Sequence, residues 1–147
     1  MSDFHNPTPN ELFDAANQFV DFIKDNNIKS VIAVARGGVL IGELIARRAS
    51  IPCYHIKYSS KHGKGDDKNH DNQNIFVKDV QYPCLIFDEI SDSNLTLKEL
   101  AQQYEKLNLP FFTGVLYHKQ HNPVVHTPDV FWRTLTPDSP WVNFPWE

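Results

Sequence analysis

Apolar residues recur along this chain with two different periods. Leu12, Ala16, Phe19, Val20 and Ile23 fall every three to four positions, which places them on one face of a helix. Thr8 can cap that helix, Pro9 suits its first position, and Glu11 lies three residues beyond Thr8, where it completes a capping box. Asp25-Asn26-Asn27 ends it. Ser30 to Ala35 is different: a continuous apolar run with Val31, Ile32 and Val34, as expected of a strand covered on both faces. Arg36-Gly37-Gly38 breaks the run. Val39 to Ala49 reads as a second helix, and Arg47-Arg48 at its end complement the C-terminal dipole. A short strand, Cys53 to Tyr58, follows Ile51-Pro52. Further on come a buried strand from Cys84 to Phe87, a helix from Leu95 to Leu107 and a strand from Phe111 to Tyr117.

Two segments depart from this alternation. Between Ser59 and Asn74 there is almost nothing apolar, and the stretch holds Lys61, Lys64, Lys68, Gly63 and Gly65. A segment this long without periodicity reads as a mobile loop between two strands of a small hood, a functional flap. From Thr127 to the last residue, Pro128, Pro137, Pro140 and Pro145 exclude a regular helix, while Phe131, Trp132, Trp141, Phe144 and Trp146 supply large rings. This second segment, 127–147, reads as a tail completing the hood. The whole chain, 1–147, is expected to be a single α/β domain, with a central parallel sheet flanked by helices. In such sheets ligands bind beyond the carboxyl ends of the strands. Arg36-Gly37-Gly38, the Asp88–Thr96 stretch and Tyr117-His118-Lys119 all fall there.

Composition narrows the function classes. At 147 residues, with 41% hydrophobic and 22% charged content, the chain can bury one core and is not expected to be disordered. Lys plus Arg number 14 against 18 Asp plus Glu, a net charge of −4. That balance argues against nucleic acid as a partner but leaves room for a local anion site. Cys53 and Cys84 lie in apolar strand-like segments without a CxxC partner, so buried reduced thiols are expected rather than a disulfide. No apolar run approaches a membrane span, and the start of the chain carries no basic-then-apolar leader pattern, so a soluble cytoplasmic protein is expected. Histidines such as His62, His70 and His118 show no zinc spacing and read as solvated.

The chemistry concentrates in residues 85 to 96, Leu-Ile-Phe-Asp-Glu-Ile-Ser-Asp-Ser-Asn-Leu-Thr. A buried strand runs into Asp88 and Glu89, then Asp92, then a polar turn, then a helix start. Alone, Asp88-Glu89 is equally a solvated strand end. Together, acids that suit ribose hydroxyls and a divalent ion, and N–H groups aimed at a phosphate, suit a phosphorylated sugar. The stretch Asp88-Glu89-Ile90-Ser91-Asp92-Ser93-Asn94-Leu95-Thr96 resembles the phosphoribosyl pyrophosphate (PRPP) motif of the type I phosphoribosyltransferases. The resemblance implies that fold, with a small hood and C-terminal tail. It gives Asp88 and Glu89 the ribose hydroxyls, directly or through Mg²⁺, with both acids as metal ligands. Asp92, Ser93, Asn94, Leu95 and Thr96 then hold the 5′-phosphate side.

One departure stands out: the family's usual Thr-Gly is Ser93-Asn94 here. Asn is among the non-glycine residues that best tolerate a positive φ, so the turn can form. Ala35-Arg36-Gly37-Gly38 is otherwise an ordinary strand-to-helix turn. It is similar to the pyrophosphate loop of the purine branch, which often holds a non-proline cis peptide, here Ala35–Arg36. Lys119, otherwise a surface lysine, matches the family's donor to the purine 6-oxo oxygen. The ending Trp141-Val142-Asn143-Phe144-Pro145-Trp146-Glu147 is similar to that of the xanthine–guanine branch, where Trp141 would stack on the base and Val142 would meet its edge. Trp146 reads better as a plug for the core or a subunit interface.

The resemblance therefore implies a transferase of purine salvage. It would move the phosphoribosyl group from PRPP to N9 of guanine, xanthine or hypoxanthine, with Asp92 handling a purine proton and Mg²⁺ as cofactor. A homodimer or homotetramer is expected. The alternatives are a PRPP-binding regulator of the same fold and a phosphoribosyltransferase for another base.

Overall fold

The computed structural model describes residues 5–58, 79–92, 94–121 and 123–147. The expected flap (59–74) and Ser93 lie outside the described residues. Helix α1 (Pro9–Asp25) begins with the expected box: the Thr8 side chain accepts from the Glu11 N–H, and Glu11 Oε1 accepts from the Thr8 N–H, each at 3.1 Å. Its apolar stripe, Leu12, Ala15, Ala16, Phe19, Val20 and Ile23, is buried. The other carboxylate oxygen of Glu11 takes Arg133 at 3.0 Å, so the same residue that caps α1 ties it to a distant strand.

Five strands form one sheet in the order β2-β1-β3-β4-β5, and every adjacent pair is parallel. They are β1 (Ser30–Ala35), β2 (Cys53–Lys57), β3 (Cys84–Ser91), β4 (Phe111–Lys119) and β5 (Val130–Leu135). Helix α2 (Val39–Ala49) connects β1 to β2, and α3 (Leu95–Lys106) connects β3 to β4. Alternation along the strands sorts the core into two layers. Val31, Leu85 and Phe87 pack with α1 and α2, while Ile32, Val34, Cys84 and Ile86 pack with Leu97, Leu100 and Tyr104 of α3. Both faces are thus apolar, which explains why the strands read as unbroken hydrophobic runs. Cys53 and Cys84 are free thiols, Cys84 buried and Cys53 half-buried.

β2 and α3 each end one residue before expectation, at Lys57 and Lys106, and larger differences lie elsewhere. β3 does not stop at Phe87 but continues through Asp88 and Glu89 to Ser91, paired with β4 as far as Ser91↔His118. β4 likewise runs on to Lys119. Most of the difference lies in 127–147: Val130–Leu135 is not hood but the fifth strand of the central sheet. Its flanking prolines exclude a helix yet permit an edge strand. β2 is the opposite edge of the same sheet. Among the described residues, no helix is long and apolar enough to cross a membrane.

Candidate active site

The strand order reverses direction between β1 and β3, since β1 leads outward to β2 while β3 leads outward to β4. In open parallel sheets the crevice outside the carboxyl ends at such a point is where ligands bind. The loop Arg36-Gly37-Gly38 leaves β1 there, and Asp88-Glu89 lies beside it on β3. The Ala35–Arg36 peptide is cis. Gly38 caps α2 and has no room for a side chain: a Cβ would stand 2.6 Å from the Phe87 carbonyl oxygen and 3.0 Å from Asp88 Cα. At Gly37 a Cβ would stand 2.8 Å from Glu89 Cδ and Oε1. Both glycines let the loop lie directly against the acids.

The acids are held in an unusual state. Asp88 accepts the Glu89 N–H at 2.8 Å, and burial pushes its carboxyl up to about 7 despite that bond. Glu89 is pushed up to about 8 by burial first, then by the charges of Asp88 and Glu147, against a hydrogen bond from Trp146 that lowers it. Glu89 Oε2 is buried with no hydrogen-bond partner among the described residues. A buried carboxylate oxygen without a donor is costly unless something else fills the role.

A second group forms where β3 and β4 end. Lys119 Nζ meets Asp92 Oδ1 at 2.7 Å, with the lysine largely covered and Asp92 exposed. His121 bonds the Asp92 carbonyl. Asn94 has φ 66° and ψ 3°, the left-handed conformation that the departure from glycine requires it to tolerate. Its side chain is buried beneath the turn: Oδ1 accepts from Ser91 Oγ at 2.5 Å, and Nδ2 donates to the Lys119 carbonyl at 3.0 Å. His118, expected to be solvated, is buried in β4 with Nδ1 3.2 Å from Ser91 Oγ. Burial, then His126 and His121, hold its pKa below the usual value.

The expected residues therefore come together in two groups. Gly37, Asp88 and Glu89 adjoin at the first, with the exposed Arg36 at its rim. Asp92, Asn94 and Lys119 adjoin at the second. Leu95 and Thr96 open the first turn of α3. Trp141 and Val142 part company: Val142 is buried in the core beside α1 and α2, whereas the Trp141 side chain is 65% exposed. The residue that sequence reasoning placed elsewhere is Trp146. It stacks on Phe144 at 4.9 Å with the rings 9° from parallel, and it hydrogen-bonds Glu89. The pointer in the sequence was the indole N–H itself, which seeks an acceptor when its ring is packed.

No model of a known protein family matches the chain, and no curated protein matches it in sequence. Solved structures do. A xanthine-guanine-hypoxanthine phosphoribosyltransferase from Helicobacter pylori superposes with a TM-score of 0.74 at 21% identity, covering 97% of this chain and 92% of that one. A purine phosphoribosyltransferase from Pyrococcus horikoshii gives the same TM-score and identity, over 97% and 93%. This is the type I phosphoribosyltransferase fold. A third structure, a hypothetical protein from Neisseria gonorrhoeae with bound ppGpp, has a TM-score of 0.62 at 20% identity, over 100% of this chain and 92% of that one.

Proposed function

We propose that the chain is a purine phosphoribosyltransferase that moves the 5-phosphoribosyl group of PRPP to N9 of a 6-oxopurine and releases pyrophosphate. The observation that carries this reading is the contact of Lys119 with Asp92 at 2.7 Å, just past the end of the strand that carries the paired acids. N7 and O6 lie side by side on one edge of a 6-oxopurine. A cation and a carboxylate this close suit that edge: the ammonium donates to O6, and the carboxylate takes the N7 proton as N9 attacks. A 6-aminopurine presents a donor to the ammonium instead, which leaves both groups without partners.

The first group suits the sugar and the leaving group. Asp88 and Glu89 are hard oxygen donors, and the orphaned Glu89 Oε2 fits a divalent ion such as Mg²⁺ or a ribose hydroxyl. When bound, Mg²⁺ supplies positive charge to the departing pyrophosphate. Arg36, exposed beside Gly37, suits the same anion, and the start of α3 suits the 5′-phosphate.

A second reading, a nucleotide-binding regulator of the same fold, is favoured by the gonococcal neighbour with ppGpp bound. One assay separates them. Protein, PRPP and Mg²⁺ are mixed with guanine, xanthine, hypoxanthine, adenine or uracil in turn, and pyrophosphate release is measured. Release with 6-oxopurines and little with adenine or uracil is expected, and Asp92→Asn should lower kcat by roughly 10²-fold or more with a small change in KM. PRPP binding without turnover of any base would favour the regulator.

A further inference from the structure

We propose that Asn94 is a positioning residue that couples the phosphate turn to the lysine that reads the base. The inference rests on the phosphoribosyl-transfer reading of the site. Asn94 stands where related motifs carry glycine, and it does more than tolerate the turn. The β3–β4 ladder ends at Ser91↔His118. One residue further, Lys119 still pairs with Leu135 of β5, but β3 has already turned away. The Asn94 amide bonds the Lys119 carbonyl at 3.0 Å, on the side that β3 has left. Its other end accepts the Ser91 hydroxyl, and Asn94 is only 2% exposed.

The hydrogens in this network run one way. Ser91 has a single hydroxyl hydrogen, and the 2.5 Å contact assigns it to Asn94 Oδ1. His118 Nδ1 therefore donates to Ser91 Oγ across 3.2 Å. The order is His118 to Ser91 to Asn94 to the Lys119 carbonyl. One buried side chain thus fixes the backbone at both the entry to α3, which faces the phosphate, and the last residue of β4, which carries the ammonium. Asn94 makes no side-chain cap to α3, so its polar atoms are committed to this link.

The test separates coupling from simple support of the turn. Asn94→Gly keeps the left-handed backbone and removes both bonds. Asn94→Asp keeps an acceptor for Ser91 and removes the donor to Lys119. Calorimetric titration compares GMP, which carries phosphate and base, with PRPP and Mg²⁺, which carry no base. Both variants should weaken GMP roughly tenfold, the size of one buried hydrogen bond, and PRPP by a clearly smaller factor, because only GMP also engages Lys119. In a Lys119→Ala background, Asn94→Gly should cost GMP nothing further, because Asn94 acts through Lys119. Equal losses for GMP and PRPP, full additivity with Lys119→Ala, or no loss in either variant would each overturn the coupling. Failure of the unsubstituted protein to bind GMP and PRPP would overturn the functional reading, and the coupling with it.

Discussion

Glu89 illustrates how a single residue can be poised against the fold that holds it. Its carboxyl is pushed from the ordinary 4.5 to about 8, mainly by burial. A carboxyl whose folded pKa exceeds its unfolded value keeps its proton in the folded state across the interval between them. The folded state then binds more protons, so stability falls as pH rises through that interval. Asp88, raised from 3.8 to about 7, acts in the same direction. His118 and His126, whose pKa values are lowered, act in the opposite sense, but only below their ordinary 6.5. The window from about pH 7 to 8 therefore reports chiefly Glu89, at up to about 1.4 kcal/mol per pH unit. Without ligand, the melting temperature should decline across this window, and Glu89→Gln should flatten the decline and melt higher than the unsubstituted chain at pH 8. Parallel curves from calorimetry at stepped pH would remove Glu89 as the source. The pairing of acids was legible in the sequence, whereas their protonation was not, because it depends first on how deeply the fold buries them and only then, for Glu89, on Glu147 and Trp146 arriving from the far end of the chain.

At the scale of elements, the β1–α2 turn shows why two adjacent glycines differ. A methyl at Gly38 meets backbone, at 2.6 Å from the Phe87 carbonyl, which cannot move without shifting β3. A methyl at Gly37 meets the Glu89 side chain at 2.8 Å. Gly38→Ala should therefore cost about 1–3 kcal/mol of stability in denaturant melts, while Gly37→Ala costs less stability and displaces the carboxylate, raising the PRPP KM. The reverse order would mean that the loop can shift away from β3. The same scale shows what patterning could and could not reveal. α1, β1 and α2 were legible to the residue, because a capping box, a doubly covered strand and a glycine break are local signals. The last residues of β3 and β4 were not, because they project over the crevice and follow site chemistry instead of apolar period. β5 was missed because Val130–Leu135 carries Arg133 for Glu11 and broad rings instead of a continuous apolar run.

Across the whole molecule, the tail joins the core to the crevice. After β5 it is pinned by the Asn143 N–H to the His5 carbonyl at 2.7 Å, and it buries Val142 and Phe144 among α1, α2 and Tyr117. Trp146 then stacks on Phe144 and gives its N–H to Glu89. Adjacent rings thus divide two tasks that a sequence reading of the tail could not separate, since both look like aromatic filler. Phe144→Ala should remove core packing and cost about 3–5 kcal/mol in stability. Trp146→Phe keeps a ring on Phe144 while deleting the only hydrogen bond identified at the Glu89 side chain among the described residues. It should change the melting temperature little. Because that bond lowers the Glu89 pKa, its loss should raise the pH at which Mg²⁺-dependent PRPP binding reaches half its maximum. Titrations of PRPP at stepped pH read this directly. A large fall in melting temperature with an unmoved pH midpoint would make Trp146 a core residue, and the tail a purely structural strap.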